Sequence, residues 1–426
     1  MNKTIGIRRE DKNKWEVRVP IIPDTIRTIK DKWGINSIVQ PFLTRAFKDD
    51  EYLINNAEIN DDLSKADIIF AVKEIPIQLL FEKKTYLFFS HTIKGQSYNM
   101  PLLKALLEKR CTLIDYECIK DEKGRRLVFF GKYAGLAGMI DALHGLGKRL
   151  DYLGQKSPFL HVKPAYEYKD LADAEQQIKS LSLELVENGL LAPLVIGFAG
   201  YGNVSKGAQE ILDFLPHITI TPEELLKNSN KLENKIYKVV FEEKHLVKPK
   251  DSNYMFDLSD YYKNPNNYET RFNGFLPLIN VLINAIYWDS RYPRLVTKEY
   301  LKNTKLSNLF LISDISCDIE GAIEITYKAT KPDEPAYVYN PVDLSYISGY
   351  KGEGIVNMAV DNLPCELPRD SSVAFSNSLL PFIKEICSAD YNYEFENLEL
   401  SNTIKNAIIT HNGKLTQQYK YLEKYL

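Results

Sequence analysis

The chain has 426 residues, 44% of them hydrophobic and 26% charged, with a formal net charge of −3. Those proportions are those of a globular enzyme or binding protein with room for two or three domains, and they give no electrostatic case for nucleic acid or an anionic membrane. No run of about twenty apolar residues is present to span a bilayer, and the start, Met1-Asn2-Lys3-Thr4, lacks the apolar core of a signal peptide, so a cytoplasmic or organelle-matrix location is expected.

In chain order, Thr4-Ile5-Gly6-Ile7 reads as a strand running into Arg8-Arg9-Glu10-Asp11. A charged loop follows with Arg18, then a helix from about Pro23 to Trp33, a strand at Ser37–Val39 and a helix near Asp49–Asn56. The unbroken apolar runs Ile68–Val72, Tyr86–Phe89 and Cys111–Ile114 are the pattern of buried parallel strands, with a helix over Asn99–Lys109 between the last two. The four strand ends offer Arg8 or Arg9, then Lys73, His91, and Asp115 or Glu117. In open parallel sheets ligands bind beyond the carboxyl ends of the strands, so these residues mark one edge as a candidate site. Ala134–Leu153 reads as a long helix whose glycines, Gly135, Gly138, Gly145 and Gly147, predict close packing against a neighbour.

The next stretch, Pro193 to Glu210, is an apolar run broken by Gly200-Tyr201-Gly202 and resumed with helical spacing at Val204, Ala208, Ile211 and Leu212. Strand, tight turn and helix are expected, with Gly200 and Gly202 letting the backbone approach a pyrophosphate and the helix opening at Asn203 pointing its free N–H groups at it. The third glycine of the usual pattern is Ser205, still small enough for close packing, and Gly207 follows. His217–Ile220 reads as the second strand of this unit, followed by Thr221-Pro222-Glu223-Glu224 with Lys227 as the first base, so the reader of the cofactor's 2′ group stays open between acid and base. Asn228–Asn273, a polar tract low in apolar periodicity, reads as mixed loop and helix. Leu276–Trp288 reads as helix, Leu309–Ser313 as a buried strand ending at Asp314 with Asp318 behind it, residues 352–364 as a turn-rich link, Ser371–Cys387 as helix, and Leu400–Leu426 as locally helical. The alternation of strands and helices predicts an α/β fold of two Rossmann-like domains with parallel sheets flanked by helices. Five scattered cysteines and six dispersed histidines contain no metal-ligand spacing, so no metal is expected.

With those residues in hand the chain resembles the lysine-ketoglutarate reductase module at the front of the bifunctional aminoadipic semialdehyde synthases. It is similar, more distantly, to lysine-forming saccharopine dehydrogenases, alanine dehydrogenases and the NAD(H)-binding subunit of transhydrogenase. The resemblance is carried by Arg8–Asp11 with Trp15–Arg18, Phe89–Lys94, Gly124–Arg126 with Tyr133–Met139, Gly200–Glu210, Leu282–Trp288 and Val360–Pro364.

It implies a discontinuous substrate domain, 1–135 plus 366–426, and a dinucleotide-binding domain, 136–365, with a cleft between them. It carries Lys73 and His91 onto an acid and base pair, Arg18 onto a substrate-carboxylate ligand, and Asp314 or Asp318 onto an aspartate near the nicotinamide. Arg8, Arg9, Glu74, Glu117, Arg125 and Arg126 become further substrate-side candidates, since planar guanidinium forks suit the three carboxylates of lysine and 2-oxoglutarate. Gly200, Gly202, Asn203, Val204, Ser205, Thr221, Glu223, Asn284, Asn362 and Leu363 are the cofactor-side candidates. The resemblance implies NADPH as cofactor, with NAD(H) the alternative, and NADPH-dependent condensation of lysine with 2-oxoglutarate to saccharopine as the reaction. The alternatives are an NAD-dependent lysine-forming saccharopine dehydrogenase and a nucleotide-binding sensor of the same fold. As the sequence stops at Leu426, a separate saccharopine-oxidising enzyme is expected in the pathway, and assembly as a homo-oligomer is left open.

Overall fold

The computed structural model describes residues 3–304 and 307–426; Met1 and Asn2, which begin the stretch read against a signal peptide, lie outside them. The chain forms two compact units, one of residues 3–130 with Pro368–Leu426 and one of Gly131–Leu367.

The first unit is built on β1 (Thr4–Ile7), β2 (Asn36–Val39), β3 (Glu58–Ile59), β4 (Ile68–Phe70), β5 (Thr85–Phe88) and β6 (Thr112–Asp115), all parallel, in the order β6-β5-β4-β1-β2-β3. Both faces of the sheet are covered, which is why its central strands carry no polar alternation: Ile68, Phe70, Leu87, Phe88, Leu113 and Ile114 are all buried. The helix Pro23–Trp33 has proline in its first turn, where the missing N–H costs nothing. It ends at Gly34, whose left-handed φ of 68° returns its N–H to the carbonyls of Ile29 and Lys30. The register pairs Ile7 with Phe70, Phe70 with Leu87, and Phe88 with Asp115, so the four strand ends lie along one edge.

The second unit carries β7 (Leu194–Ala199), β8 (His217–Thr219) and β9 (Ile236–Phe241), a separate two-stranded ribbon of β10 (Val247–Pro249) and β11 (Tyr268–Thr270), then β12 (Val281–Asn284), β13 (Leu311–Asp314), β14 (Ala336–Asn340), β15 (Ser345–Ser348) and β16 (Ile355–Met358). Its sheet runs β15-β14-β16-β13-β12-β7-β9-β8, parallel from β16 to β8 and antiparallel at the β14-β15 hairpin. The helices Gly131–Tyr152 and Asn203–Leu212 pack at backbone contact, because a Cβ at Gly135 would fall 1.8 Å from Val204 O and one at Gly207 2.2 Å from Lys132 O. Ser205, in the place of the third glycine, is fully buried and accepts from Gln209 Nε2 at 3.0 Å. After the second unit the chain returns through the helix Pro368–Ser388 to add β17 (Ile408–His411) and β18 (Lys414–Leu415) antiparallel to the free edge at β6.

Four expectations are corrected. Leu276–Trp288 is not helical: two short 3₁₀ turns lead into β12, which is buried between β7 and β13, and a continuous apolar run of that length fits a two-sided strand as well as a helix. Residues 352–364 are more than a link, since they include β16 at the heart of the sheet. His217–Ile220 does form a strand, β8, but it is the outermost one; β9, in the tract expected to be mixed loop and helix, lies beside β7 instead. Residues 400–426 do carry local helix, Asn402–Lys405 and the 3₁₀ stretch Gln417–Tyr425, but also β17 and β18. No helix among the described residues is long and apolar enough to cross a membrane, and all five cysteines are free thiols.

Candidate active site

At the carboxyl edge of the first unit's sheet, Lys73 and Glu74 follow β4 and His91 follows β5. His91 adopts a left-handed φ of 51°, and its Nδ1 sits 2.6 Å from Glu74 Oε1. Lys12 donates from Nζ to both oxygens of the same carboxylate, at 3.1 and 2.8 Å. Burial alone would raise the Glu74 carboxyl, but the hydrogen bonds from His91 and Lys12 outweigh it and hold the group down at about 2. Glu74 is therefore an anion at neutral pH. Its contact with Nδ1 favours the tautomer of the neutral ring that carries the proton on that nitrogen.

Lys73 is half-buried, and its backbone is pinned from below: Glu10 accepts from the N–H groups of Val72 at 2.6 Å and Lys73 at 3.0 Å. Burial and the nearby Glu16 carboxylate push Glu10 up to about 7, despite those two hydrogen bonds. Asp115, at the end of β6, is fully buried, accepts from the backbone N–H of Ser90 at 3.0 Å and from its hydroxyl, and is raised by that burial to about 6. Glu10 and Asp115 thus hold the loops after β4 and β5. Asp115 was expected at its strand end, as the alternative to Glu117; Glu10 was not expected, and its signal was its place three residues beyond β1.

Every arginine expected to hold a substrate carboxylate has a protein carboxylate beside it. Arg8, 6% exposed, pairs with Asp11, and Arg9 with Asp61 at 2.7 Å. Arg125 pairs with Asp121 at 2.7 Å, and Arg126 with Glu117. Arg18 is the most enclosed: its Nε and Nη2 fork onto Glu16 at 2.8 and 2.5 Å, and its guanidinium lies 4.1 Å from the Phe130 ring centre. Arg18 and Glu16 are 2% and 0% exposed, so this is a buried ion pair.

The second unit's carboxyl edge holds the glycine turn. Gly200 has a φ of 97°, open to glycine alone without strain, and its N–H donates to Phe241 O at 3.0 Å. A Cβ on Gly202 would meet nothing within 4 Å, so the space above the turn is open. The helix Asn203–Leu212 starts there with no side-chain cap, leaving its first N–H groups free to bind an anion. Asn203 and Val204 lie in its first turn. At the end of β12, next to β7, Asn284 donates to Asp314 Oδ1 at 2.8 Å while its own buried Oδ1 has no protein donor. An open cradle, an uncapped helix end and an orphaned amide oxygen at one sheet edge fit a dinucleotide.

The other cofactor-side candidates are placed less directly. Asp314 is enclosed, receiving Thr326 Oγ1 at 2.6 Å, and burial raises it to about 6 over the lowering effect of its hydrogen bonds. Asp318 is exposed in the loop beyond. Asn362, with a φ of 72°, opens a 3₁₀ turn, whereas the Leu363 side chain is buried in the core. Thr221 caps the helix Pro222–Asn228, accepting from Glu224 N at 3.1 Å, and Glu223 is 3.2 Å from His245 Nε2.

Residues 6–137 match the alanine dehydrogenase/PNT N-terminal domain, and residues 267–418 the alanine dehydrogenase/PNT C-terminal domain. The chain is 38% identical over 446 residues to alpha-aminoadipic semialdehyde synthase of Arabidopsis thaliana, covering 99% of this chain and 41% of that protein. It is 38% identical over 443 residues to the mitochondrial alpha-aminoadipic semialdehyde synthase of Mus musculus, at 99% and 47% coverage, and so spans less than half the length of either relative. To the NAD(+), L-lysine-forming saccharopine dehydrogenase of Emericella nidulans it is 25% identical over 397 residues, 90% of this chain and 92% of that one. Two solved structures share the fold: an L-alanine dehydrogenase, with TM-score 0.61, 15% identity and coverage of 99% and 98%, and a transhydrogenase from Sinorhizobium meliloti, with TM-score 0.56, 14% identity and coverage of 97% and 99%. By these matches the chain carries an alanine dehydrogenase/PNT N-terminal domain and an alanine dehydrogenase/PNT C-terminal domain.

Proposed function

We propose that the chain is a nicotinamide-dependent oxidoreductase of lysine degradation that joins L-lysine to 2-oxoglutarate and reduces the product to saccharopine. The observation that carries this reading is the 2.6 Å contact of His91 with Glu74 beside Lys73, in a chain 38% identical to aminoadipic semialdehyde synthase over 99% of its length.

The reaction needs a neutral amine, proton transfers through a carbinolamine to an imine, and hydride delivery to the imine carbon. Reduced nicotinamide, when bound, supplies the hydride. His91 Nε2 takes the proton from the attacking lysine ammonium, because Glu74 holds the proton of the ring at Nδ1. The Lys73 ammonium donates to the carbinolamine oxygen that leaves as water. Glu10 keeps Lys73 in place through the two backbone N–H groups it accepts. Arg126, about half exposed, exchanges Glu117 for a substrate carboxylate. Gly200, Gly202 and the N–H groups at Asn203 to Ser205 would hold the pyrophosphate, and Asn284 Oδ1 would accept from the nicotinamide end.

The high coverage of the Emericella enzyme, 92% of its length, favours one second reading, in which the same residues run the reaction toward lysine. The test is to follow reduced-nicotinamide absorbance with the full chain. Consumption that requires lysine and 2-oxoglutarate together supports the proposal. Turnover with pyruvate and ammonia instead, or with no pair of amino and keto acids, overturns it, and a faster rate from saccharopine and oxidised nucleotide selects the second reading.

A further inference from the structure

The strand order moves the position that reads the adenosine ribose. In dinucleotide folds the strand beside the glycine-bearing one ends at the ribose, where an acid accepts the 2′ and 3′ hydroxyls of NAD and a base binds the 2′-phosphate of NADP. In this chain that neighbour is β9: Ala199 pairs with Phe241, and Gly200 N donates to Phe241 O. The chain leaves Phe241 as Glu242-Glu243. Lys227, the first base after β8, lies one strand further out.

Glu243 is tied to the glycine turn itself. Its Oε1 is 3.5 Å from the hydroxyl of Tyr201, the residue between Gly200 and Gly202, and accepts from Tyr262 OH at 2.5 Å. Both contacts fall on Oε1, which leaves Oε2 to accept from a ribose hydroxyl. Three bases of this region are engaged: Lys244 Nζ is 3.1 Å from Glu242 Oε2, Arg271 Nη1 donates to Lys244 O at 3.2 Å, and His245 Nε2 is 3.2 Å from Glu223.

We propose that Glu243, with Glu242 beside it, reads the ribose 2′-hydroxyl and repels a 2′-phosphate, so that the chain prefers NAD(H) to NADP(H). This rests on the nucleotide reading above and departs from the NADPH that the family resemblance implies. A carboxylate accepting from a hydroxyl forms a charge-assisted hydrogen bond, whereas a 2′-phosphate sets two like charges against each other.

The test is to titrate the full chain with NADH and with NADPH in the absence of substrates, reading binding by calorimetry or protein fluorescence. Wild type should bind NADH roughly tenfold or more tighter than NADPH, the size expected for one hydrogen bond to a charged group. Glu243→Gln, which keeps the side-chain shape, should lose most of that preference, and Glu242→Arg with Glu243→Arg should favour NADPH. Equal or tighter binding of NADPH by wild type overturns the inference, as does an undiminished preference when Glu242→Gln and Glu243→Gln are combined; the nucleotide reading survives both results. Binding of neither nucleotide overturns that reading and the inference with it.

Discussion

Glu74 Oε1 lies 2.6 Å from His91 Nδ1, joining the end of β4 to the end of β5 through one half-buried carboxylate that Lys12 also holds. Two side chains seventeen residues apart in sequence thereby share a single orientation. The contact sets which imidazole nitrogen faces outward.

Removing either proton-transfer group is expected to lower kcat by about 10²- to 10⁴-fold, the usual cost of one positioned acid or base. Lys73→Met and His91→Gln should each do so while nucleotide affinity stays near wild type, since the proposed phosphate contacts come from Gly200 to Ser205. The double variant should lose little beyond the worse single one if the two act as a unit. Steady-state rates beside a nucleotide titration check this; near-normal turnover in a folded variant would place the chemistry elsewhere.

Glu74 also has a signature in acid. Its folded-state pKa is about 2, below its ordinary value, so the stability it contributes is fully present above about pH 4.5 and is lost as pH falls toward 2. Glu74→Gln should remove that part of the acid dependence and lower kcat as well. Urea denaturation at neutral pH and near pH 3, compared between wild type and variant, reads the difference.

Arg18 and Glu16 form the buried pair whose separation is costly. Arg18→Ala is expected to destabilise the fold by about 3–5 kcal/mol, because the Glu16 carboxylate stays buried without the guanidinium. Arg18→Met combined with Glu16→Gln should recover most of it, and calorimetric unfolding of the single and double variants would show the coupling. Additive losses would mean that the pair is not the unit described.

Asp141 and Glu366, 2% and 1% exposed, face each other in the second unit. Burial raises Asp141 to about 6 and, together with the Asp141 charge, raises Glu366 well above its usual value, so the folded state holds protons that the unfolded chain releases. The contribution of the pair is complete below about pH 4 and is lost as pH rises through 6 and above. Glu366→Gln should therefore gain on wild type by about 1–3 kcal/mol between pH 5 and pH 8, measured by denaturant titration at the two pH values. A constant difference would rule out proton uptake by the pair.

The two small residues of the nucleotide unit should separate cleanly. Gly207→Ala places a methyl 2.2 Å from Lys132 O and is expected to cost about 1–3 kcal/mol of stability. Gly202→Ala meets open space, so it should keep the melting temperature and weaken nucleotide binding, because the added methyl occupies the approach to the turn. Thermal melts with and without nucleotide distinguish the two.

The sequence by itself determined the alternation of strands and helices, the glycine turn at 200–202, the close packing of Gly135 and the four polar strand ends. Each is a local pattern: an apolar run stops, a glycine follows, and the next residue has to face solvent or ligand. Lys73 and His91 were legible for that reason. Only the tertiary structure decided what is set by pairing across the chain. The run at Leu276–Trp288 became β12 because a slot between β7 and β13 buries both its faces, and strand and helix look alike in a short apolar segment. Of the five arginines, Arg9 meets its carboxylate, Asp61, only when distant loops come together, whereas Arg8, Arg18, Arg125 and Arg126 pair with carboxylates close by in the chain; a list of arginines could not tell a filled fork from an open one. The position beside the glycine turn passed from Thr221 and Glu223 to Glu242 and Glu243, because strand order within a parallel sheet follows from which faces bury the most apolar surface, not from the order of the strands in the chain.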